Sequence, residues 1–91
     1  MKVLVIGLGS MGKRRIRCLR QLAVEHVAGF DPRADRREEV SAKYRVNCYD
    51  DFHVAVNDFK PDAFVISVPP DIHHIYIKAA IEMKKHFFIE A

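Results

Sequence analysis

The sequence predicts an α/β fold: a doubly wound, open parallel sheet of five strands in the probable order 3-2-1-4-5. Three observations carry this expectation. Apolar runs of strand length alternate with helix-period segments along the whole 91-residue chain, as parallel strands joined by right-handed crossovers require. The run Ala63–Val68 (AFVISV) is apolar almost throughout, as an inner strand buried on both faces should be. The first run, Val3–Ile6, passes straight into Gly7-x-Gly9-x-x-Gly12 and then into a helical pattern.

Each element has its own warrant. Met11 to Leu22 carries Ile16, Leu19, Leu22 and Ala23 at amphipathic spacing. Lys13, Arg14, Arg15, Arg17 and Arg20 fill the other face; Arg17 and Arg20 suit the negative end of the helix. Strand two is His26–Phe30, closed by Asp31 and stopped by Pro32, which cannot donate to a ladder. A charged helix from about Arg33 to Tyr44 has a thin stripe of Val40 and Tyr44, and Val46–Tyr49 reads as a short third strand. Asp50-Asp51 can cap a helix running to about Asp58. Lys60-Pro61-Asp62 is punctuation before strand four. Pro69-Pro70 ends that strand, Asp71 is an N-cap candidate for a helix over Ile72–Lys85, and Phe87–Ile89 is the last strand. Phe87 and Phe88 read as core.

The glycine turn is the chemically specific stretch. Gly7 permits a tight turn off the strand, Gly9 lets the backbone approach a pyrophosphate, and Gly12 lets the helix pack close to the strand. The helix begins with unpaired N–H groups and the positive end of its dipole directed at an anion. Asp31 ends the next strand about 20 residues further on, where an acid that bonds ribose hydroxyls is expected. Such a sheet holds its ligand across the carboxyl ends of the strands at the switch point between strands one and four. A dinucleotide is therefore expected against Gly7, Gly9, Ser10, Met11 and Gly12. Asp31 and Arg33 would surround the adenosine ribose, and Ser67, Pro69 and Pro70 would lie under the nicotinamide half. Glu90, at the end of strand five, faces the same region. Asp31 favours NAD, because a carboxylate repels a 2′-phosphate, while Arg33 keeps NADP open. One of Lys13, Arg14 or Arg15 near the pyrophosphate is the lesser reading beside a solvated face.

Composition narrows the classes. Hydrophobic residues at 49% and charged residues at 30% describe an ordinary folded domain. A net charge of +3 gives no warrant for nucleic-acid or membrane binding. No aromatic platform accompanies the Lys13–Arg20 run, so a nucleic-acid binder is the weakest class. No run approaches the roughly 18 apolar residues of a membrane span. Met1-Lys2 and the apolar run after them read as a first strand rather than a leader, because Gly7 and Gly9 interrupt the run. Cys18 and Cys48 lack metal or C-x-x-C spacing and read as buried or half-buried free thiols of a reducing compartment, so the cytoplasm is the default location. His73-His74 makes a poor metal pair, since adjacent helical residues diverge by about 100°. No metal site is expected, and no catalytic residue can be named.

KVLVIGLGSMGKR, then GFDPR, then ISVPPDIHH, then HFFIEA resembles the amino-terminal domain of the glucose–fructose oxidoreductase/inositol dehydrogenase (Gfo/Idh/MocA-type) family, over all 91 residues. The resemblance implies a Rossmann domain of an NAD(P)-dependent oxidoreductase acting on sugars, polyols or related carbonyl compounds. In that family a second α/β domain follows, shapes the substrate site and usually mediates oligomerisation; this chain has no counterpart to it. The resemblance also implies that Pro69, Pro70 and His73 form the Pro-x-x-x-His stretch beside the nicotinamide ribose. It makes Glu90 the glutamate of a Glu-Lys-Pro signature whose lysine is replaced here by Ala91. The chain is thus expected to bind cofactor without turning over. The competing expectation is a non-catalytic nucleotide-binding module, which Ala91 supports. Apolar residues around Pro69–Ile72 and 87–91 are expected to form an exposed patch that favours self-association.

Overall fold

Strand β1 (Lys2–Ile6) lies at the centre of the sheet, with parallel neighbours on both sides. The structure is a computed structural model and describes residues 1–89. The remaining elements are α1 (Ser10–Gln21), β2 (His26–Phe30), α2 (Ala34–Tyr44), β3 (Asn47–Tyr49), α3 (Phe52–Phe59), β4 (Ala63–Ile66), a 3₁₀ turn (Pro70–Ile72), α4 (His73–Glu82) and β5 (His86–Ile89). The order across the sheet is β3-β2-β1-β4-β5, all parallel, as the strand–helix alternation predicts.

Alternation along the strands divides the core in two. Leu4, Ile6, Ala28, Phe30, Phe64 and Ile66 face α3 and α4, whose Ala55 and Ala80 are fully buried among them. Val3, Val5 and Val65 face the other way, against Ile16 of α1 and Val40 of α2. The inner strands are therefore covered on both faces, which is why Val3–Ile6 of β1 and Ala63–Ile66 of β4 are apolar without a polar alternate. Among the described residues no helix is long and apolar enough to cross a membrane.

Among the described residues, four left-handed ones close the helices, and none is glycine: Ala23 (φ 59°), Arg45 (φ 55°), Lys60 (φ 53°) and Lys84 (φ 55°). After α1, Ala23 N–H donates to Arg20 O and Val24 N–H to Leu19 O, both at 3.0 Å, so the last carbonyls are satisfied. This close swings Leu22 outward. Leu22 belongs to the apolar stripe by spacing but is 75% exposed, and Val24 packs against the core in its place.

Other expectations need correction. Asp51 caps α3 as expected, its Oδ1 accepting from Val54 N–H at 3.0 Å. Asp71 caps nothing: it sits inside the 3₁₀ turn, and α4 starts at His73 with no side-chain cap. The double proline holds the backbone in a tight 3₁₀ turn before an α-helix can start. Strand four ends at Ile66, not Val68, because its partner β1 ends at Ile6. Phe87 and Phe88 are 38% and 54% exposed rather than core. They lie on the edge strand β5, where the Arg15 guanidinium stands 5.2 Å above the Phe88 ring. The basic face of α1 is only partly solvated: Lys13 pairs with Glu39 at 2.8 Å. Arg17 and Arg20 donate to the Tyr44 hydroxyl and carbonyl at 2.9 and 2.6 Å, tying α1 to the end of α2.

Candidate functional site

The carboxyl ends of β1, β2 and β4 meet in one cleft of about 590 Å³, within the ~300–1,000 Å³ usual for small-ligand sites. Gly7, Gly9, Ser10 and Met11 form its floor; Phe30 to Arg33 and Arg36 form one wall; Ser67 to Pro70, Ile72, His73 and Tyr76 form the other. The cleft lies where β1 parts from β4, at the reversal of strand order.

The three glycines are required for different reasons. Gly7 has φ +95°, and a Cβ on it would stand 2.8 Å from Ser67 O, so backbone conformation and neighbour both demand glycine. A Cβ on Gly12 would stand 1.8 Å from Gly7 O; the first turn of α1 is pressed against the turn that precedes it. Gly9 is different. Its nearest neighbours would be the Arg36 guanidinium atoms at 3.5 Å, an ordinary contact, and its φ of −73° suits any residue. The fold does not need glycine there, whereas a ligand lying on the turn does. Gly9 is also the N-cap of α1 without any side-chain capping bond, and the first turn contains no acid. The leading N–H groups and the dipole are left for an anion.

Asp31 is a hub rather than a free carboxylate. It is only 3% exposed; Oδ2 accepts from Leu8 N–H at 2.9 Å and Oδ1 accepts from Arg33 N–H at 2.9 Å. Arg36 Nη1 is 3.5 Å from Oδ2. The side chain thus ties the glycine turn to the end of β2, a link the main chain doubles through Gly7 N–H to Phe30 O at 2.8 Å. A carboxylate has about four acceptor positions, so these three contacts leave room for about one further donor.

On the far wall, His73 Nε2 lies 2.6 Å from Val68 O, so this nitrogen carries the proton and donates. The bond straps the Ser67–Pro70 loop to the start of α4. Ser67 Oγ is buried with no hydrogen-bond partner among the described residues. An orphaned hydroxyl costs about 1–3 kcal/mol, which a ligand atom at this spot would offset. Tyr76 closes the end of the cleft against Phe30 and Phe52, at ring separations of 6.2 and 5.2 Å; burial, and then the Asp31 charge, push its phenol above the ordinary range.

Of the residues expected at the site, Gly7, Gly9, Ser10, Met11, Asp31, Arg33, Ser67, Pro69, Pro70 and His73 line the cleft, and Gly12 lies just beneath it. Arg33 stands at the rim, with its guanidinium turned to Asp35. Glu90 lies outside the described residues. His74 is exposed on α4. Among the described residues no group of three or more His, Cys, Asp or Glu is placed to hold a metal ion. Arg36 and Tyr76 were not legible as site residues. The only signal for Arg36 is its place in the first turn of the helix that follows Asp31. The uncapped turn, the side-chain-free Gly9 with only the Arg36 guanidinium over it and the orphaned Ser67 hydroxyl together fit a dinucleotide.

Comparison with known proteins agrees. The model of the oxidoreductase family with the NAD-binding Rossmann fold (GFO_IDH_MocA) matches residues 1–91. A probable dehydrogenase from Thermotoga maritima is 30% identical, with a TM-score of 0.87 over 98% of this chain and 27% of its own. UDP-N-acetylglucosamine 3-dehydrogenase GnnA from Acidithiobacillus ferrooxidans is 26% identical, with a TM-score of 0.83 over 98% of this chain and 28% of its own. The apo scyllo-inositol dehydrogenase from Lactobacillus casei, 24% identical with a TM-score of 0.84, shares the fold over 100% of this chain and 28% of its own. The chain spans little more than a quarter of each. No curated protein sequence matches it.

Proposed function

We propose a function from one premise: this chain belongs to the oxidoreductase family with the NAD-binding Rossmann fold. Its role is to bind NAD, or NADP, as the cofactor bed of a dehydrogenase acting on a hydroxyl-bearing carbon of a sugar, polyol or related carbonyl compound. The observation that carries this reading is the cleft itself, which joins an uncapped glycine turn, a buried Asp31 and the orphaned Ser67 hydroxyl at the switch point. The 26% identical GnnA, a UDP-N-acetylglucosamine dehydrogenase, supports a sugar hydroxyl as the reacting group.

The bound dinucleotide supplies the hydride acceptor or donor; the protein supplies position. The N–H groups of Ser10, Met11 and Gly12, with the α1 dipole behind them, hold the pyrophosphate. Asp31 accepts from a ribose hydroxyl while keeping the turn in register. The strap from His73 to Val68 O holds Pro69 and Pro70 as a rigid wall toward the nicotinamide half, with Ser67 Oγ available to bond it. Moving the proton of a substrate hydroxyl needs a positioned acid–base group. We assign none of the residues described here to it, so the chain should bind without turning over. Ala91, where the related signature has lysine, favours a second reading: a nucleotide-binding module with no chemistry of its own.

The test is a titration of the 91-residue chain with NAD, followed by an assay for NADH formation with a panel of sugars and polyols. Saturable binding with no NADH formed is the expected result. Turnover by this chain alone overturns the division between bed and chemistry, and a folded chain that binds no dinucleotide overturns the reading.

A further inference from the structure

The two edges of the sheet are built differently. β3 is an edge of only three residues, Asn47–Tyr49, and its last ring is held by the bond from the Tyr49 hydroxyl to Asp58 Oδ2. A very short edge strand is one of the devices that keep an open ladder from pairing with another chain. β5 is the other edge, and among the described residues it pairs with β4 alone, so one side of its backbone has no ladder. It contains two phenylalanines and no proline, acid or lysine. Register puts Phe87 beside Phe64, on the face of α3 and α4, and Phe88 beside Val65, on the face of α1 and α2. Both rings are partly exposed, so each face of the sheet carries an aromatic side chain out to this edge.

We propose that the β5 edge is a self-association surface: two copies of the chain join β5 to β5, antiparallel, into one continuous sheet. This follows from the fold alone and does not depend on the dinucleotide reading. A second copy is the partner that closes. Pairing β5 with β3 of the next copy is head-to-tail and propagates without end, whereas a two-fold axis normal to the sheet joins like to like and stops at the dimer. That axis makes the two strands antiparallel and sets one residue opposite itself. With Phe88, the more exposed ring, on the axis, Phe88 faces Phe88 of the second copy, and Phe87 faces Ile89 of the second copy. Aromatic and aromatic–β-branched neighbours of this kind stabilise cross-strand pairing. Charge fits the same direction. In sequence, Lys84 and Lys85 precede the strand and Glu90 follows it, so antiparallel strands bring unlike charges together and parallel strands like ones. The contact is small: at 38% and 54% exposure the two phenylalanines offer roughly 150–200 Å², against ~800 Å² per partner in a stable complex. The dimer is therefore weak, with a dissociation constant on the order of 100 μM.

The experiment is sedimentation velocity of the chain from about 5 μM to about 1 mM, beside Phe88→Lys and Val54→Lys, each checked for folding by circular dichroism. Val54 is the control, because it is 53% exposed on α3, which packs over β2 and β3. The unmodified chain should pass from monomer to dimer across this range. Phe88→Lys should raise the dissociation constant about tenfold or more, and Val54→Lys should leave it within about twofold. Phe88→Cys should cross-link to itself on mild oxidation, as mapped by peptide mass spectrometry, because the axis sets position 88 of the two copies side by side. A chain that stays monomeric throughout would overturn the proposal, as would a dimer that Phe88→Lys leaves intact or that Val54→Lys weakens equally. Growth beyond the dimer would mean open-ended pairing, and a missing link at position 88 a different interface; either result would overturn the β5-to-β5 assignment.

Discussion

Replacing Asp31 with alanine should damage the fold before any cofactor is added. Its carboxylate accepts from the buried Leu8 N–H and from Arg33 N–H, both at 2.9 Å. Removing it leaves a buried donor unpaired, at about 1–3 kcal/mol, and a half-buried one, at roughly 1 kcal/mol. The Arg36 pair adds little, because its guanidinium reaches water and the separation is 3.5 Å. The sum is about 2–4 kcal/mol, against the roughly 5–15 kcal/mol that holds a domain together. Asp31→Asn keeps one carbonyl oxygen for an amide and should cost only about half as much. Urea unfolding followed by circular dichroism measures this directly, and the Asp31→Ala midpoint should fall by about 1–2 M. A midpoint within about 0.3 M of the unmodified chain would refute the assignment of Asp31 as the anchor of the glycine turn. Asp31→Asn is also the cleaner variant for cofactor work, since Asp31→Ala mixes lost binding with lost fold.

Further outcomes follow from single contacts. Gly12→Ala places a Cβ against Gly7 O and should cost at least about 3 kcal/mol or prevent folding; an unchanged urea midpoint would contradict the packing described here. Lys60→Gly relieves a left-handed, exposed residue at φ 53° and should stabilise by about 0.5–1 kcal/mol; a lowered midpoint would count against strain at that cap. The Tyr49 hydroxyl donates to Asp58 Oδ2 at 2.5 Å, and this bond, ahead of burial, pushes the phenol up to about 12. With the folded value above the ordinary value near 10, the bond contributes below about pH 10 and is lost as pH rises toward 12, so the unmodified chain should lose more stability over that window than Tyr49→Phe. Parallel pH profiles for the two would exclude the bond as a source of stability.

What was legible in the sequence was whatever depends on pattern along the chain. The apolar run of β4, the glycine spacing and Asp31 at a strand end depend on local geometry, and they led to the sheet order and to most of the cleft. What was not legible depends on which elements meet. Asp71 has the chemistry of a cap, but two prolines ahead of it impose a 3₁₀ turn. Phe87 and Phe88 have core composition, yet β5 is an edge strand, and exposure there is decided by what covers an edge rather than by residue type. The arginines after Asp31 are alike in sequence; only the side-chain partners in three dimensions separate Arg36, over the turn, from Arg33, held by Asp35. Gly9 shows the reverse case. Its spacing marks it as one of three equal glycines, and only the structure shows that the fold itself does not require glycine there.

The most direct test of a dinucleotide site at the switch point is residue-resolved. Backbone amide shifts of the isotope-labelled chain would be followed by nuclear magnetic resonance during titration with NAD, beside a folded Gly9→Val control. The account predicts saturable shifts at residues 7–12, 31–36 and 67–73, abolished in Gly9→Val, with Ser41 of α2 and Cys48 of β3 unmoved. Shifts centred elsewhere, or an undiminished response in Gly9→Val, would contradict it.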